Sequence, residues 1–267
     1  MTGRITRAFA AAIVGIAALA GADRAEARSL DAILESGELR IGVIPFDRDI
    51  VKDPTGDGYT GAFIDAAEFI CERMDVTCAY QEVTWQSFVA ALQAGRIDLS
   101  IASTYATISR ATAVTFSDPI YFLGYKAVTS AEEGRFESVA ELDDPDVRVA
   151  VCQGCGQMEW VQRVAPEANL RVVPTEEGAM LEVVTGQADI AVGASAAANN
   201  ALASQPSLRP ALGGEVYSKN QVAWAMNRSD ATLKDFVNIA LGQLKASGRL
   251  AEFARDNGAP WQDAISP

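Results

Sequence analysis

The chain reads Ala-Gly-Arg-Ile-Asp-Leu at residues 94–99 and Thr-Gly-Gln-Ala-Asp-Ile at residues 185–190. Each stretch has the pattern of a helix end, a glycine, an aspartate three residues later and the start of a strand. Two units with the same helix-to-strand junction predict two comparable lobes with a cleft between them. No Pro-, Gly- or Ser-rich linker separates the units, so we expect the hinge to consist of ordinary strands.

Helical and strand periods alternate along the rest of the chain, which predicts an α/β protein with largely parallel sheets. Ser29 is expected to cap a first helix that ends at Gly37, and Thr84 to cap a helix that carries Trp85. Further helices are predicted on the apolar face of residues 63–74, from residue 156, around 180–184 and over 233–244, and strands over 39–43, 97–102, 147–151, 170–173 and 188–192.

The composition excludes several kinds of chemistry. The 267 residues include no histidine, and 35 Asp and Glu outnumber 22 Lys and Arg, for a formal charge of -13. Without histidine, Ser-His-Asp and Cys-His catalysis and histidine metal sites are excluded, as is a c-type haem at the one Cys-x-x-Cys. Nucleic acid is not an expected partner, because its phosphates require clustered lysine and arginine. We predict neither a metal nor a cofactor.

The first 27 residues have the order of a secretory signal. Arg4 and Arg7 precede an apolar run at residues 8–22, and Ala-Glu-Ala at residues 25–27 forms a cleavage site. The run has about 15 residues, fewer than the roughly 20 of a membrane-spanning helix; an uncleaved N-terminal anchor is the alternative. No later window is apolar and long enough to span a membrane. We expect a mature protein that begins at residue 28, is soluble and lies in the periplasm.

Export gives meaning to the four cysteines, because an oxidising compartment favours disulfides. They fall as two local pairs, Cys71 with Cys78 and Cys152 with Cys155. A bridge in the first pair would join the end of a helix to the start of the next strand, and we interpret it as structural. The second pair lies between a strand and the start of a helix. It predicts a local disulfide that stiffens the loop, or a redox switch on ligand binding.

Ordered motifs give the chain a resemblance to the family 3 periplasmic solute-binding proteins, the polar amino-acid receptors of ABC importers. They extend over about residues 29 to 257. The loop from Cys71 to Cys78 also resembles the disulfide loop of the basic-amino-acid branch. The motifs lie at residues 30–43, 85–98, 110, 116–121, 148–151 with 154, 186–189 and 247–251.

The resemblance implies a two-lobed, type II periplasmic-binding-protein fold. Lobe 1 would comprise residues 28–122 and 223–267, and lobe 2 residues 123–222. Two hinge strands, near residues 122–125 and 220–223, would join the lobes around a ligand cleft. The protein would be a monomer that closes on a small organic solute and presents it to the membrane subunits of an ABC importer.

The resemblance also places the ligand-binding residues. Arg110 matches the arginine that clamps the ligand carboxylate, because a guanidinium binds a carboxylate through two bonds. Ser103 and Tyr105 would supply hydrogen bonds, and Tyr105 is bulkier than the hydroxyl residue usual there. Trp85 and Phe46 would form the apolar walls of the site.

Two departures from the family pattern change the expected solute. The lobe 2 aspartate that pairs with an α-ammonium corresponds to Ala194, so the ammonium of an amino acid would be buried without its partner. Residues 47–49 read Asp-Arg-Asp, and we interpret them as a solvated loop, with pocket charges as the alternative. We therefore expect a carboxylate-bearing solute that is not a standard α-amino acid.

The loop from Cys152 to Gly156 would face the solute from lobe 2. The backbone of Gly154, Cys155 and Gly156 would offer N–H groups at a helix N-terminus, although the family's side-chain hydroxyl groups are missing. Cys-x-x-Cys before a helix is also the thioredoxin arrangement, so a thiol-disulfide oxidoreductase is an alternative function. A zinc site would need two further ligands in a chain without histidine.

The family resemblance is also compatible with a dehydratase or an accessory protein. Cyclohexadienyl dehydratases resemble this family, but the position of their essential lobe 2 glutamate falls at Met158, with Glu159 next to it on another helix face. A receptor-like accessory protein, of the kind found beside quinoprotein alcohol dehydrogenases, would also show an eroded amino-acid signature. We interpret the chain as a binding protein and not an enzyme.

Overall fold

The computed structural model describes residues 28–56, 58–229, 231–261 and 264–266. The predicted signal peptide, residues 1–27, lies outside this part of the chain. Within it, no helix combines the length and the apolar character needed to cross a bilayer.

The described residues form twelve strands and nine α-helices in the predicted alternation. The strands are β1 (Glu38–Val43), β2 (Val51–Lys52), β3 (Tyr59–Thr60), β4 (Thr77–Glu82), β5 (Leu99–Tyr105), β6 (Val114–Phe116), β7 (Tyr121–Ser130), β8 (Arg148–Cys152), β9 (Asn169–Val173), β10 (Ile190–Ala194), β11 (Leu208–Pro210) and β12 (Tyr217–Asn227). The helices are α1 (Leu30–Ser36), α2 (Ala62–Met74), α3 (Phe88–Gln93), α4 (Ile108–Ala111), α5 (Gly156–Val164), α6 (Glu176–Val184), α7 (Ser195–Ser204), α8 (Ala231–Ala246) and α9 (Arg249–Asp256).

One sheet runs through both lobes in the order β4-β1-β5-β12-β7-β10-β8-β9. Strands β4, β1 and β5 are parallel on one side, and β9, β8 and β10 are parallel on the other. The long strands β7 and β12 pair antiparallel between them, with a register shift between Tyr217 and Asn220. The type II fold class is therefore confirmed. We propose that the lobes divide where these two strands cross, at the boundaries predicted from the sequence.

The repeated glycine-aspartate stretch anchors the two lobes in the same way. The Asp98 carboxylate accepts a hydrogen bond from the backbone N–H of Arg40 at 2.9 Å and contacts its guanidinium. The Asp189 carboxylate does the same to Arg148, at 2.8 Å from the backbone nitrogen. Each aspartate thus fixes the strand after its glycine next to a parallel strand of its own lobe, β5 next to β1 and β10 next to β8, which explains why the pattern occurs twice.

Local signals placed most helix ends correctly, with one exception. The Ser29 hydroxyl accepts from the backbone of Ala32, and Gly37 ends α1 in the left-handed conformation with φ of 65°. The helix expected from Thr84 begins only at Phe88, because Thr84 and Ser87 bond each other's backbone in a separate turn. Trp85 therefore lies in this turn and not on the helix.

The predicted apolar face of α2 is buried, and it holds the helix against the lobe 1 sheet. In the first turn of the helix, Phe63 packs against the rings of Trp224, Trp261 and Tyr121, with centroids 5.5 to 6.2 Å apart. A disulfide between Cys71 and Cys78 joins the last turn of α2 to the start of β4, as predicted.

Candidate functional site

The carboxyl ends of the parallel strands in both lobes face one cleft, the position at which open α/β sheets bind ligands. Its inner part is a narrow cavity between the lobes, which we call the inner cavity. Seven of the eight predicted ligand-binding residues line it. The eighth, Gly154, does not, but its carbonyl accepts a hydrogen bond from Arg110, which does. The lining residues are Phe46, Trp85, Ser103, Tyr105, Arg110, Leu123, Cys155, Gly156, Gln157, Glu176 and Ala194.

Arg110 is a buried cation without an acidic partner. It lies in the short helix α4, whose first turn is capped by the Thr107 hydroxyl, and is 8% exposed. Its guanidinium donates to the carbonyl of Tyr105 at 3.0 Å and, across the cleft, to that of Gly154 at 2.8 Å. No described acidic residue forms an ion pair with it. Burial lowers the pKa of the Arg110 guanidinium, so an anion at this position would be stabilising.

Aromatic rings form the lobe 1 wall of the inner cavity. Phe46 and Trp85 meet edge to face, with ring centroids 6.4 Å apart. The Arg110 guanidinium lies 5.3 Å from the ring of Phe88 and 6.0 Å from that of Trp85. At these distances, cation–π attraction adds to the hydrogen bonds of the guanidinium.

The hydroxyl groups of Ser103 and Tyr105 are already engaged with the protein. Ser103 hydrogen-bonds the Asp49 carboxylate, and Tyr105 donates to the Gly124 carbonyl at 3.3 Å. In this structure, both hydroxyl hydrogens are therefore used within the protein. The two residues shape the cavity, and their oxygens can still accept hydrogen bonds from a solute.

Asp49 is not part of a solvated loop, and that interpretation is wrong for this residue. Its carboxylate is 1% exposed and accepts from Trp261 Nε1 at 2.6 Å, from the Tyr121 hydroxyl at 2.7 Å and from Ser103. Burial raises the pKa of Asp49 to about 6 despite these three donors. Asp49 thus connects the loop after β1 to the first hinge strand and to the C-terminal segment.

The loop from Cys152 to Gly156 is pressed against lobe 1. Gly154 has φ of 75°, and a Cβ there would lie 2.8 Å from the backbone nitrogen of Gln86. A Cβ on Gly156 would lie 2.7 Å from the hydroxyl oxygen of Tyr125 in its own lobe and 3.1 Å from Cδ2 of Tyr105 in lobe 1. Glycine at both positions therefore permits the close approach of the two lobes.

The second cysteine pair forms a disulfide at this loop, between Cys152 and Cys155. Both residues are buried. A thioredoxin-like exchange needs an accessible sulfur, so their burial disfavours the oxidoreductase alternative.

Two polar residues of the inner cavity were missed by the sequence analysis. Glu176 begins α6 and is 4% exposed; one carboxylate oxygen accepts from the backbone N–H of Ala194 at 2.7 Å. Burial raises the pKa of Glu176 to about 7, although the adjacent Gln157 and the Ala194 N–H lower it. In sequence, Glu176 follows the N-cap Thr175 and has the pattern of an exposed first-turn acid. Only the packing of α6 on β10 reveals its burial.

We predict that the protein loses stability between pH 5 and pH 8. Asp49 and Glu176 have pKa values raised to about 6 and about 7. The folded state therefore binds their protons more tightly than the unfolded state, and this stabilisation disappears as the pH rises through those values. Each raised pKa corresponds to about 3 kcal/mol. No histidine titrates in this range.

Thermal unfolding in one buffer series from pH 5 to pH 8 checks this. We expect Asp49→Asn and Glu176→Gln each to flatten the decline in melting temperature. A melting temperature that rises with pH in the unaltered protein would contradict the assignment.

Comparison with known proteins gives one family. Residues 39–257 match the model of the bacterial extracellular solute-binding proteins, family 3. The lysine/arginine/ornithine-binding periplasmic protein of Escherichia coli K12 is 25% identical over 212 residues, 76% of this chain and 80% of that protein. Cyclohexadienyl dehydratase of Pseudomonas aeruginosa is 25% identical over 181 residues, 67% of this chain and 68% of that protein. A mutant of ArgBP from T. maritima has a similar structure, with a TM-score of 0.77 and 26% identity over 85% of this chain and 97% of that one.

Proposed function

The chain belongs to the bacterial extracellular solute-binding proteins of family 3, and we propose that it captures a small carboxylate-bearing solute for an ABC importer. The resemblance drawn from the sequence motifs is confirmed by this membership. The observation that carries the proposal is Arg110, a buried guanidinium that faces the cleft without an acidic partner in the described chain.

A carboxylate is the anion that this geometry suits best. A guanidinium presents N–H groups in a planar fork that a carboxylate accepts through two parallel bonds. In Arg110 one nitrogen binds a carbonyl of lobe 1 and another binds a carbonyl of lobe 2, so the group is held in place while the lobes are together. A carboxylate here would neutralise a charge that burial destabilises.

The finer part of the proposal is that the solute is not a standard α-amino acid. Ala194 at the end of β10 offers a methyl group to the inner cavity, and Tyr105 fills space on the opposite wall. Cys155 and Gly156 bring no hydroxyl group to the start of α5. These three differences from the family pattern change both the charge and the shape of the site.

We propose a binding role and not an enzymatic one. In the dehydratase alternative the reacting acid would stand at the position of Met158 or next to it. Glu159 is exposed and lines a separate surface groove with Ile108 and Arg163, outside the inner cavity. The similarity to cyclohexadienyl dehydratase therefore supports membership of the family, but it does not support dehydratase activity in this chain.

The remaining parts of the proposal concern place and partners. We propose that residues 1–27 direct export and are removed, so that the mature protein acts as a monomer in the periplasm. The closed pair of lobes would be the form that the membrane subunits of the importer recognise. The direct bond between the lobes, from Arg110 to Gly154, supports a coupling of ligand binding to closure in this chain.

A thermal-shift screen of residues 28–267 tests the proposal. The panel would contain the standard amino acids, ω-amino carboxylates from β-alanine to 6-aminohexanoate, betaines, the des-amino carboxylate of each, neutral sugars and simple amines. A solute at 100 times its Kd stabilises the folded state by about 2.7 kcal/mol, or roughly 5 to 10 °C in melting temperature at this chain length.

We expect at least one carboxylate to shift the melting temperature and the sugars to leave it unchanged. Shifts from uncharged solutes alone would overturn the proposal. A screen without any shift would instead favour the transport-independent accessory role, and a pull-down for a periplasmic partner would follow.

A further inference from the structure

Glu176 is a buried carboxylate without a cation. Its hydrogen-bond donor in the described chain is the backbone N–H of Ala194, and it takes part in none of the ion pairs among the described residues. A carboxylate removed from water and left without a counter-charge destabilises the folded state. Folding alone gives no reason to place one here.

Gln157 gives a second sign of a missing ligand. It lies in the first turn of α5, is fully buried and lines the same cavity. The amide lies beside Glu176 and lowers the pKa of that carboxyl group, but neither its oxygen nor its nitrogen has hydrogen-bond geometry to another described residue. Buried amides almost always have partners, so Gln157 brings unused hydrogen-bonding capacity to the inner cavity, next to Glu176.

The charges of the inner cavity are divided between its walls. Arg110 provides a positive charge from lobe 1 and Glu176 a negative charge from lobe 2, and no ion pair joins them. Tyr105 is near both groups: burial raises the pKa of its hydroxyl most, Glu176 raises it further, and Arg110 lowers it. A solute with two opposite charges would neutralise both walls at once.

We propose that Glu176, together with the Gln157 amide, binds a cationic nitrogen of the solute. This inference rests on the proposed function, in which Arg110 binds the carboxylate of the same solute, and it identifies the solute class as amino carboxylates. An ammonium has only donors, so it fits the Glu176 carboxylate and the Gln157 amide oxygen, which are both acceptors. The Gln157 amide nitrogen remains free to donate to the solute's anionic end or to Glu176.

Glu176 supplies from helix α6 a charge that the residue at the end of β10 lacks. Its carboxylate bonds the backbone of Ala194 itself, so the negative charge lies next to the position at which the sequence analysis found none. Glu176 is thus a specificity-determining residue that no sequence motif indicates.

The test uses matched pairs of probes that differ only in the amino group, such as 4-aminobutyrate with butyrate and L-alanine with propionate. Kd is measured by calorimetry for the unaltered protein, Glu176→Gln and Glu177→Gln. Glu177 is the matched control, because it is the next residue, carries the same charge and is exposed at the outer rim of the cleft. The melting temperature of each unliganded variant reports whether it folds.

We expect the amino member of a bound pair to bind at least tenfold more tightly than its des-amino partner. Glu176→Gln should remove this preference, whereas Glu177→Gln should retain it. Equal binding of both members, or equal effects of the two variants, would overturn the inference and leave the proposed function intact. If no carboxylate binds, the proposed function fails, and this inference fails with it.

The pH dependence of binding gives a readout that a merely structural Glu176 would not change. The groups that face it are Glu177 on its own helix, Gln157 on α5, the Ala194 N–H on β10, and Tyr105 and Arg110 across the cleft. With the empty-site pKa of Glu176 at about 7, Kd for an amino carboxylate should fall about tenfold from pH 6 to pH 8. The amino group stays protonated over this range, and Glu176→Gln should show no such change.

A standard α-amino acid that binds through Glu176 would support the inference and overturn the finer part of the proposed function. The expectation that the solute is not a standard α-amino acid assumes that no other residue replaces the negative charge missing at Ala194.

Discussion

Arg110→Ala is expected to weaken the binding of carboxylate solutes by roughly 100-fold or more, which corresponds to about 3 kcal/mol. The substitution removes the cation on the lobe 1 wall of the inner cavity and the bond that crosses the cleft to the Gly154 carbonyl. A carboxylate would then be buried without a counter-charge, which adds its desolvation to the loss of two charge-assisted hydrogen bonds.

Two further variants separate charge from geometry at this position. Arg110→Lys keeps the charge but cannot form two parallel bonds to a carboxylate while it also holds the carbonyls of Tyr105 and Gly154, so we expect intermediate binding. Arg48→Ala removes an exposed arginine of the neighbouring loop and should leave Kd unchanged. Calorimetric titration with the carboxylate found in the screen measures all three. Binding by Arg110→Ala with the affinity of the unaltered protein would show that the carboxylate lies elsewhere.

The second large effect concerns stability. We expect Asp49→Ala to destabilise the fold by about 3 kcal/mol, roughly 6 to 12 °C in melting temperature. Alanine would leave three buried donors, on Ser103, Tyr121 and Trp261, without their acceptor. Each unsatisfied group costs about 1–3 kcal/mol, and the removal of a desolvated charge offsets part of the sum.

Asp47→Ala is the matched control for this prediction. Asp47 belongs to the same loop, is half-buried and accepts a hydrogen bond from the Asn200 amide at 3.0 Å. Its loss should cost less than about 1 kcal/mol. Asp49→Asn retains one acceptor and should fall between the two alanine variants. If Asp49→Ala melted within 2 °C of the unaltered protein, the three-donor network would not contribute to stability as proposed.

The sequence predicted the helix ends and short loops well because interactions between residues close together in the chain determine them. A hydroxyl group at Ser29 and a glycine at residue 37 are enough to begin and end a helix. The repeated glycine-aspartate spacing predicted two similar units, since each unit needs the same contact between an aspartate and the arginine of a neighbouring parallel strand. The Cys71–Cys78 bridge was predictable because seven residues separate its ends around one turn.

The helix expected from Thr84 shows where local reasoning failed. The apolar spacing of Trp85 and Phe88 is helical, but the Thr84–Ser87 pair forms a separate turn and turns the indole toward the cleft. Side chains that bond their own backbone compete with helix formation, and the spacing of apolar residues does not register this competition.

For the candidate site, the resemblance supplied positions and the tertiary structure decided what they do. Arg110, Trp85 and Phe46 meet at one cavity, as the motif order implied. Ser103 and Tyr105 are there too, but their hydroxyl groups bond Asp49 and Gly124. The partner of a hydroxyl group depends on residues far away in the sequence, so no motif of lobe 1 could predict it.

By itself, the sequence determined the α/β class, the two lobes, the cysteine pairs and the exclusion of histidine chemistry, because these follow from composition and from contacts between near neighbours. Only the tertiary structure decided the electrostatics of the cleft. Asp49, Gln157 and Glu176 have the sequence context of ordinary surface residues, and their burial results from the packing of distant elements. The charge and hydrogen bonding of a buried group depend on what surrounds it in space, which is why the polar half of this site became visible only in the folded chain.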